Sequence, residues 1–117
     1  MKELHISLEH TPIIHEPIHA CIGYFDGIHI GHQQLIQTVV ENAKTLGGAA
    51  ALITFDPDPW AIIKGISQLE HLTSMKQRKQ FAAQLGVEYW IVLDFTEEMA
   101  ALSVAQFHEK ILYPLPL

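Results

Sequence analysis

The chain has 117 residues, a length that suits one domain, and 49% of them are hydrophobic against 17% charged, a globular balance that excludes a disordered or fibrous protein. Folding at this size buries roughly two-thirds of the unfolded chain's surface, enough for an independent core. The formal charge of −6 repels nucleic-acid backbones, so general DNA or RNA binding is not expected, although local dipoles can still hold a small anion.

Residues 1–19, MKELHISLEHTPIIHEPIH, read as an extended lead-in, because Pro12 and Pro17 break any helix. They contain no continuous apolar stretch of the kind that opens a secretory signal. His5, His10, His15 and His19 fall at irregular spacing and read as surface histidines rather than a metal set. Ala20 to Phe25 is a short apolar run closed by the turn pair Asp26-Gly27, which suits a buried strand. It holds Cys21, the single cysteine, so no intrachain disulfide can form and a reducing compartment is favoured.

From Gly31 the pattern changes to a helical stripe of Leu35, Ile36, Val39, Val40, Ala43 and Leu46, which Gly47-Gly48 ends. Ala49 to Phe55 is a second buried strand, stopped by Asp56-Pro57-Asp58-Pro59. Ser74 with Gln77 has the capping-box pattern and opens a helix that runs to Leu85 and closes at Gly86. Glu88 to Asp94 is a third strand. A further helical stretch runs from about Thr96 to Leu112, restarted at Ser103, which pairs with Gln106 as another capping box. Pro114 and Pro116 stop it.

The expected order is therefore β-α-β-α-β-α. Uninterrupted apolar strands alternating with amphipathic helices imply an α/β fold, a parallel sheet covered by helices on both faces. No apolar run approaches the roughly 18 residues that span a bilayer, so a soluble, cytoplasmic protein without a membrane partner is expected.

In open α/β sheets, ligands bind beyond the carboxyl ends of the strands. The segment Gly23-Tyr24-Phe25-Asp26-Gly27-Ile28-His29-Ile30-Gly31-His32 lies there, between the first strong strand and its helix. A helix N-terminus offers unpaired N–H donors and partial positive charge, which attract phosphate. Gly27 permits a tight turn, and Gly31 permits close approach of the backbone to an anion. His29 and His32, three apart, can direct both rings at one anion and stabilise charge that builds up during phosphoryl transfer. From spacing alone, a strand–helix turn with two incidental surface histidines stands equally beside this reading. The two histidines could hold zinc, but Cys21 lies inside the expected strand and no third ligand has typical spacing, so no metal site is assigned. Neither G-x-G-x-x-G nor a phosphate-binding loop ending in G-K-[ST] is present.

The run from Gly23 to Gln33 resembles the signature of bacterial FAD synthases, the adenylyltransferase module of bifunctional riboflavin kinase/FMN adenylyltransferases. His29-Ile30-Gly31-His32 matches the H-x-G-H motif of the wider nucleotidyltransferase superfamily, and the longer G-x-F-D-G-x-H-x-G-H-Q pattern is more specific. Thr54 to Pro59 resembles that family's T-F-x-P-x-P. Leu72 to Phe95 and Ala101 to Leu112 resemble its following helix, strand and helix.

The resemblance implies a Rossmann-like nucleotidyltransferase fold and the reaction of ATP with FMN to give FAD and pyrophosphate, with Mg²⁺ accompanying ATP. Carried over, His29 and His32 stabilise the transition state. Gly23, Tyr24, Phe25, Asp26, Gly27 and Gly31 line the ATP site with them. Thr54, Phe55, Pro57 and Pro59 belong to the FMN side. Thr54 and Phe55 are equally readable as core residues of a strand, and Trp60 is either a stacking residue or a packing anchor.

Two positions depart from the family pattern: Tyr24 stands where asparagine or a small residue is frequent, and Asp58 where histidine is frequent. The family module also continues past Leu117 with a glycine- and phenylalanine-rich segment and a serine-threonine-arginine motif that grips the triphosphate. Thr73 to Lys79 has a similar composition but reads as the solvated basic face of a helix. Residues 1–117 are accordingly expected to form the N-terminal part of the module, C-terminally incomplete and without the riboflavin kinase domain. Weak or no turnover is expected from them alone, with an exposed sheet edge that favours self-association. Two other functions remain compatible with these residues: another small-molecule nucleotidyltransferase, and a non-catalytic remnant that binds nucleotide or flavin.

Overall fold

Each of the three apolar runs becomes a strand, and a fourth strand forms where the sequence suggests only a lead-in. In the computed structural model, which describes residues 1–24, 30–56 and 75–117, with the backbone alone at 30 and 31, the strands are β1 (Lys2–Ile6), β2 (Ile18–Ile22), β3 (Ala49–Asp56) and β4 (Tyr89–Asp94). All pair in parallel, in the order β1-β4-β3-β2. The helices are α1 (Ile30–Leu46), α2 (Met75–Gln84) and two single turns, α3 (Glu97–Ala100) and α4 (Val104–Phe107), the last running into a π-helical turn at His108–Leu112.

The lead-in reading is thus corrected at β1. Its register sets Lys2 opposite Tyr89 and Ile6 opposite Leu93. Only Leu4 and Ile6 turn inward, while Glu3 and His5 stay exposed, so the strand lacks the apolar density that marks its neighbours. The first predicted strand also moves. It begins at Ile18, two residues earlier than its apolar run suggests, because Ile18 is buried and donates its N–H to Pro116 O at 2.8 Å.

The sheet has a core on each face. On one, Ile36, Val39, Val40 and Ala43 of α1 and Ala82 of α2 pack on Cys21, Leu52, Trp90 and Val92. On the other, Met99, Ile111 and Leu115 cover Ile6, Ile53, Ile91 and Leu93. β1 and β2 lie on opposite edges, and the segment joining them packs Leu8 and Ile14 onto this second face. The strands alternate strictly, so consecutive residues serve different cores. Helices therefore cover both faces, as expected of an α/β fold.

The expected helical stretch from Thr96 to Leu112 is divided at the restart the sequence suggests. Thr96 caps α3, its side chain accepting from Met99 N, and the chain then restarts at Ser103 with the capping box its sequence predicts. Ser103 N donates to Gln106 Oε1 at 2.9 Å, and Gln106 N donates to Ser103 Oγ at 3.1 Å. The glycine stops are as expected: Gly48 and Gly86 hold φ of 104° and 101°, where side-chain-bearing residues are strained. Among the described residues, no helix is long and apolar enough to cross a membrane.

Candidate functional site

The carboxyl rim of the sheet is where β2 gives way to α1. Beyond Ile22 the ladder continues by one bond, from Gly23 N to Ile53 O at 2.9 Å. Tyr24 then leaves the sheet, and α1 opens at Ile30 with Gly31 and His32 in its first turn. No acidic side chain stands in that turn to oppose an anion, and the helix dipole favours one there. His32 is half-buried at this rim.

Tyr24 is held from two sides. Its carbonyl accepts from Arg78 Nη1 at 2.9 Å and from Thr54 Oγ1 at 3.3 Å. Its hydroxyl oxygen lies 3.3 Å from Arg78 Nη2, which donates to it, and the Arg78 guanidinium carbon sits 4.2 Å from the centre of its ring. Arg78 is 2% exposed, which overturns the reading of Thr73 to Lys79 as a uniformly solvated basic face: Lys76 is exposed, but Arg78 turns under the sheet rim. A guanidinium removed from water must recover its lost hydration through polar and π partners. Stacking on an aromatic face is worth about 2 kcal/mol when desolvated.

Thr54 and Phe55 are neighbours in sequence that face opposite ways. Thr54 is fully buried on the α1 side, where its hydroxyl is committed to Tyr24. Phe55 belongs to the other face and meets Phe95 edge-on, with ring centres 5.5 Å apart and planes at 89°. These two rings, with Met99, Leu102, Val104 and Phe107, line an almost wholly apolar cavity of about 330 Å³. The end of β3 therefore divides the rim into a polar half beside α1 and an apolar half beneath α3 and α4.

Cys21 lies in β2 under α1, and burial pushes its thiol up to about 11, so it stays an unreactive core group. Of the residues assigned from sequence, Gly23, Tyr24, Gly31, His32 and Thr54 gather on the polar half, and Phe55 on the apolar half. Phe25, Asp26, Gly27, His29, Pro57 and Pro59 lie outside the described residues, as do Asp58, Trp60 and the Ser74 cap. Among the described residues, no group of three or more His, Cys, Asp or Glu side chains is arranged to hold a metal ion.

Arg78 and the cavity residues Phe95, Met99 and Phe107 escaped the sequence reading. Phe95, directly after a buried strand, is a signal that could have been used, since a residue there sits on the ligand rim. Arg78 offered none, because its partner is remote in sequence.

The FAD synthetase family model matches residues 11–115. The chain is 35% identical over 95 residues to a bifunctional riboflavin kinase/FMN adenylyltransferase of Listeria monocytogenes, covering 80% of this chain and 30% of that protein. A protein of the same description from Bacillus subtilis is 34% identical over 113 residues, covering 94% of this chain and 36% of the relative. The chain thus spans about a third of the length of these relatives. A Streptococcus pneumoniae crystal structure, described as a macrolide-efflux protein, superposes with a TM-score of 0.79 at 23% identity, over 99% of this chain and 40% of that one, and so shares the fold. With the match extending over nearly its whole length, the chain belongs to the FAD synthetase family.

Proposed function

We propose that the chain carries the adenylyl-transfer site of an FMN adenylyltransferase, which moves AMP from ATP to FMN and releases pyrophosphate. A phosphate oxygen of FMN attacks the α-phosphorus of ATP in line. The bond from that phosphorus to the bridging oxygen of the β-phosphate breaks, and pyrophosphate leaves with the electron pair. His32 and His29 donate hydrogen bonds to the phosphate oxygens and stabilise the charge of the transition state. The α1 N-terminus adds its dipole and backbone donors. On the family resemblance, Gly23, Tyr24, Phe25, Asp26, Gly27 and Gly31 are assigned to the ATP side, partly through their backbone groups. Mg²⁺ bound with ATP would supply charge neutralisation of the triphosphate, and no side chain of this chain is assigned to it.

The flavin is read onto the apolar half of the rim. A flat isoalloxazine ring requires apolar walls, and Phe55, Phe95 and Met99 furnish them. Pro57 and Pro59, which follow β3 in sequence, are assigned to the same flavin side on the family resemblance alone. Thr54 acts indirectly, by fixing Tyr24 across the strand. The reaction is placed in the cytoplasm.

The observation that carries this reading is the position of the H-x-G-H histidine His32, in the first turn of α1 at the carboxyl rim, within a chain matched by the FAD synthetase model. The test is FAD formation from ATP, Mg²⁺ and FMN by the complete gene product. His32→Ala is expected to lower kcat by about 100-fold, the scale of losing one transition-state donor. An undiminished rate would remove the role of His32. Pantetheine phosphate offered in place of FMN should not be adenylylated, and its use in preference to FMN would point to a different nucleotidyltransferase.

A further inference from the structure

We propose that Arg78 is a positioning residue for this site, holding the point at which β2 hands the chain to the histidine motif; the inference rests on the reaction assigned above. The residue comes from α2, yet it meets Tyr24 at three points: carbonyl, hydroxyl and ring face. Thr54 donates to the same carbonyl from β3. Tyr24 is therefore fixed by side chains of two elements as the chain leaves the sheet, one residue past the last ladder bond at Gly23.

A side chain that served only to cover the core would not need a guanidinium. Leucine would fill the space without the loss of hydration that a buried charge incurs. What the fork uniquely provides is geometry. Its two terminal nitrogens reach a backbone oxygen and a phenol oxygen of one residue while its central carbon sits over the ring. Such a contact fixes position as well as orientation. Tyr24 is eight residues before His32, whose other anchor is α1 itself, packed through Ile36, Val39 and Val40 on the sheet. The strand exit thus lies ahead of the motif and α1 begins within it, and Arg78 secures the former.

The test compares Arg78→Lys, Tyr24→Leu and the double variant. Lysine keeps the charge but cannot span both oxygens or lie flat on the ring. Measured well below the unfolding temperature, Arg78→Lys is expected to lower kcat for FAD formation by about 10-fold, because small displacements of reacting groups are costly, with the KM for FMN within about twofold of wild type. The double variant should lose less than the two single losses combined, since Tyr24→Leu removes the hydroxyl and ring that Arg78 contacts while leaving the backbone carbonyl in place. Hydrogen exchange at the Gly23 amide is the second readout. It should accelerate by about 10-fold in Arg78→Lys while the Val92 amide of β4 is unchanged. A kcat within twofold of wild type, additive losses in the double variant, or unchanged Gly23 exchange would each overturn the proposal. A wild-type protein that forms no FAD would instead overturn the assigned reaction, and Gly23 exchange alone would then decide whether Arg78 anchors the strand exit.

Discussion

Gly47 and Gly48 stand side by side at the end of α1, and both adopt positive φ, at 83° and 104°. Their surroundings differ. A Cβ on Gly47 would meet nothing within 4 Å, whereas one on Gly48 would lie 2.5 Å from the carbonyl oxygen of Pro17. That oxygen cannot withdraw cheaply, because it accepts from Ala49 N at 2.9 Å where β3 begins beside β2. Gly47→Ala is expected to cost about 1 kcal/mol, the strain of the left-handed conformation alone. Gly48→Ala should cost well over about 2 kcal/mol, since the backbone must also shift. Urea unfolding midpoints of the two variants measure the difference, and equal costs would show that the Pro17 contact yields freely. The glycine pair signals a helix stop in the sequence, but nothing in the sequence says which glycine is indispensable, because the obstructing carbonyl belongs to a distant turn. Arg78 is hidden for the same reason. Its neighbours in sequence are polar and charged, and only the fold brings Tyr24 to it.

At the level of elements, local signals are read correctly where they are self-contained. The α1 helix, the buried runs of β3 and β4 and the Ser103–Gln106 capping box each need only a few consecutive residues and appear in the fold, although of the α1 stripe Ile36, Val39, Val40 and Ala43 are buried while Leu35 and Leu46 stay exposed. β1 escapes because an edge strand with one neighbour needs little apolar surface, and its polar side is satisfied by partners from elsewhere. The site divides the same way. The histidine motif is legible because it is contiguous, while the apolar half of the rim is assembled from β3, β4 and two short turns. One of those turns, α4, depends on its cap. A four-residue helix has almost no cooperativity of its own, so the two reciprocal bonds of the box contribute a large share of its order. Ser103→Ala is expected to cost about 1 kcal/mol of global stability and to accelerate hydrogen exchange at the Gln106 amide. Because Val104 and Phe107 line the cavity, flavin affinity should weaken in the same variant. A midpoint unchanged to within about 0.3 kcal/mol would show that packing of Phe107, not the cap, defines the turn.

Across the whole molecule, one polar cluster ties three elements together on the α1 side of the sheet. His5 on β1 places Nδ1 3.1 Å from Asp94 Oδ1 on β4 and Nε2 3.0 Å from Glu3 Oε2, and Lys79 of α2 donates to Glu3 Oε1 at 2.8 Å. Hydrogen bonds to Glu3 and then Asp94 raise the pKa of His5 above its ordinary value near 6.5. Hydrogen bonds from Lys79 and then His5 lower that of Glu3 below its ordinary 4.5. A raised histidine contributes stability that is complete below the unfolded value and disappears as pH climbs through the folded one. A lowered carboxylate contributes stability that is complete above its unfolded value and disappears as pH falls through the folded one. The cluster therefore holds β1 most firmly between about pH 5 and 6, where Glu3 is charged and His5 is protonated. His5 and its two carboxylate partners are about half exposed, so solvent screening keeps each pair below about 1 kcal/mol. The stability difference between wild type and His5→Gln isolates the effect from the other histidines. By urea unfolding, that difference should be largest near pH 5.5, shrink toward pH 8 and diminish in 1 M salt. A pH-independent difference would mean that His5 serves β1 through packing alone. The same experiment probes how the edge strand is retained, since among the described residues β1 pairs with β4 alone.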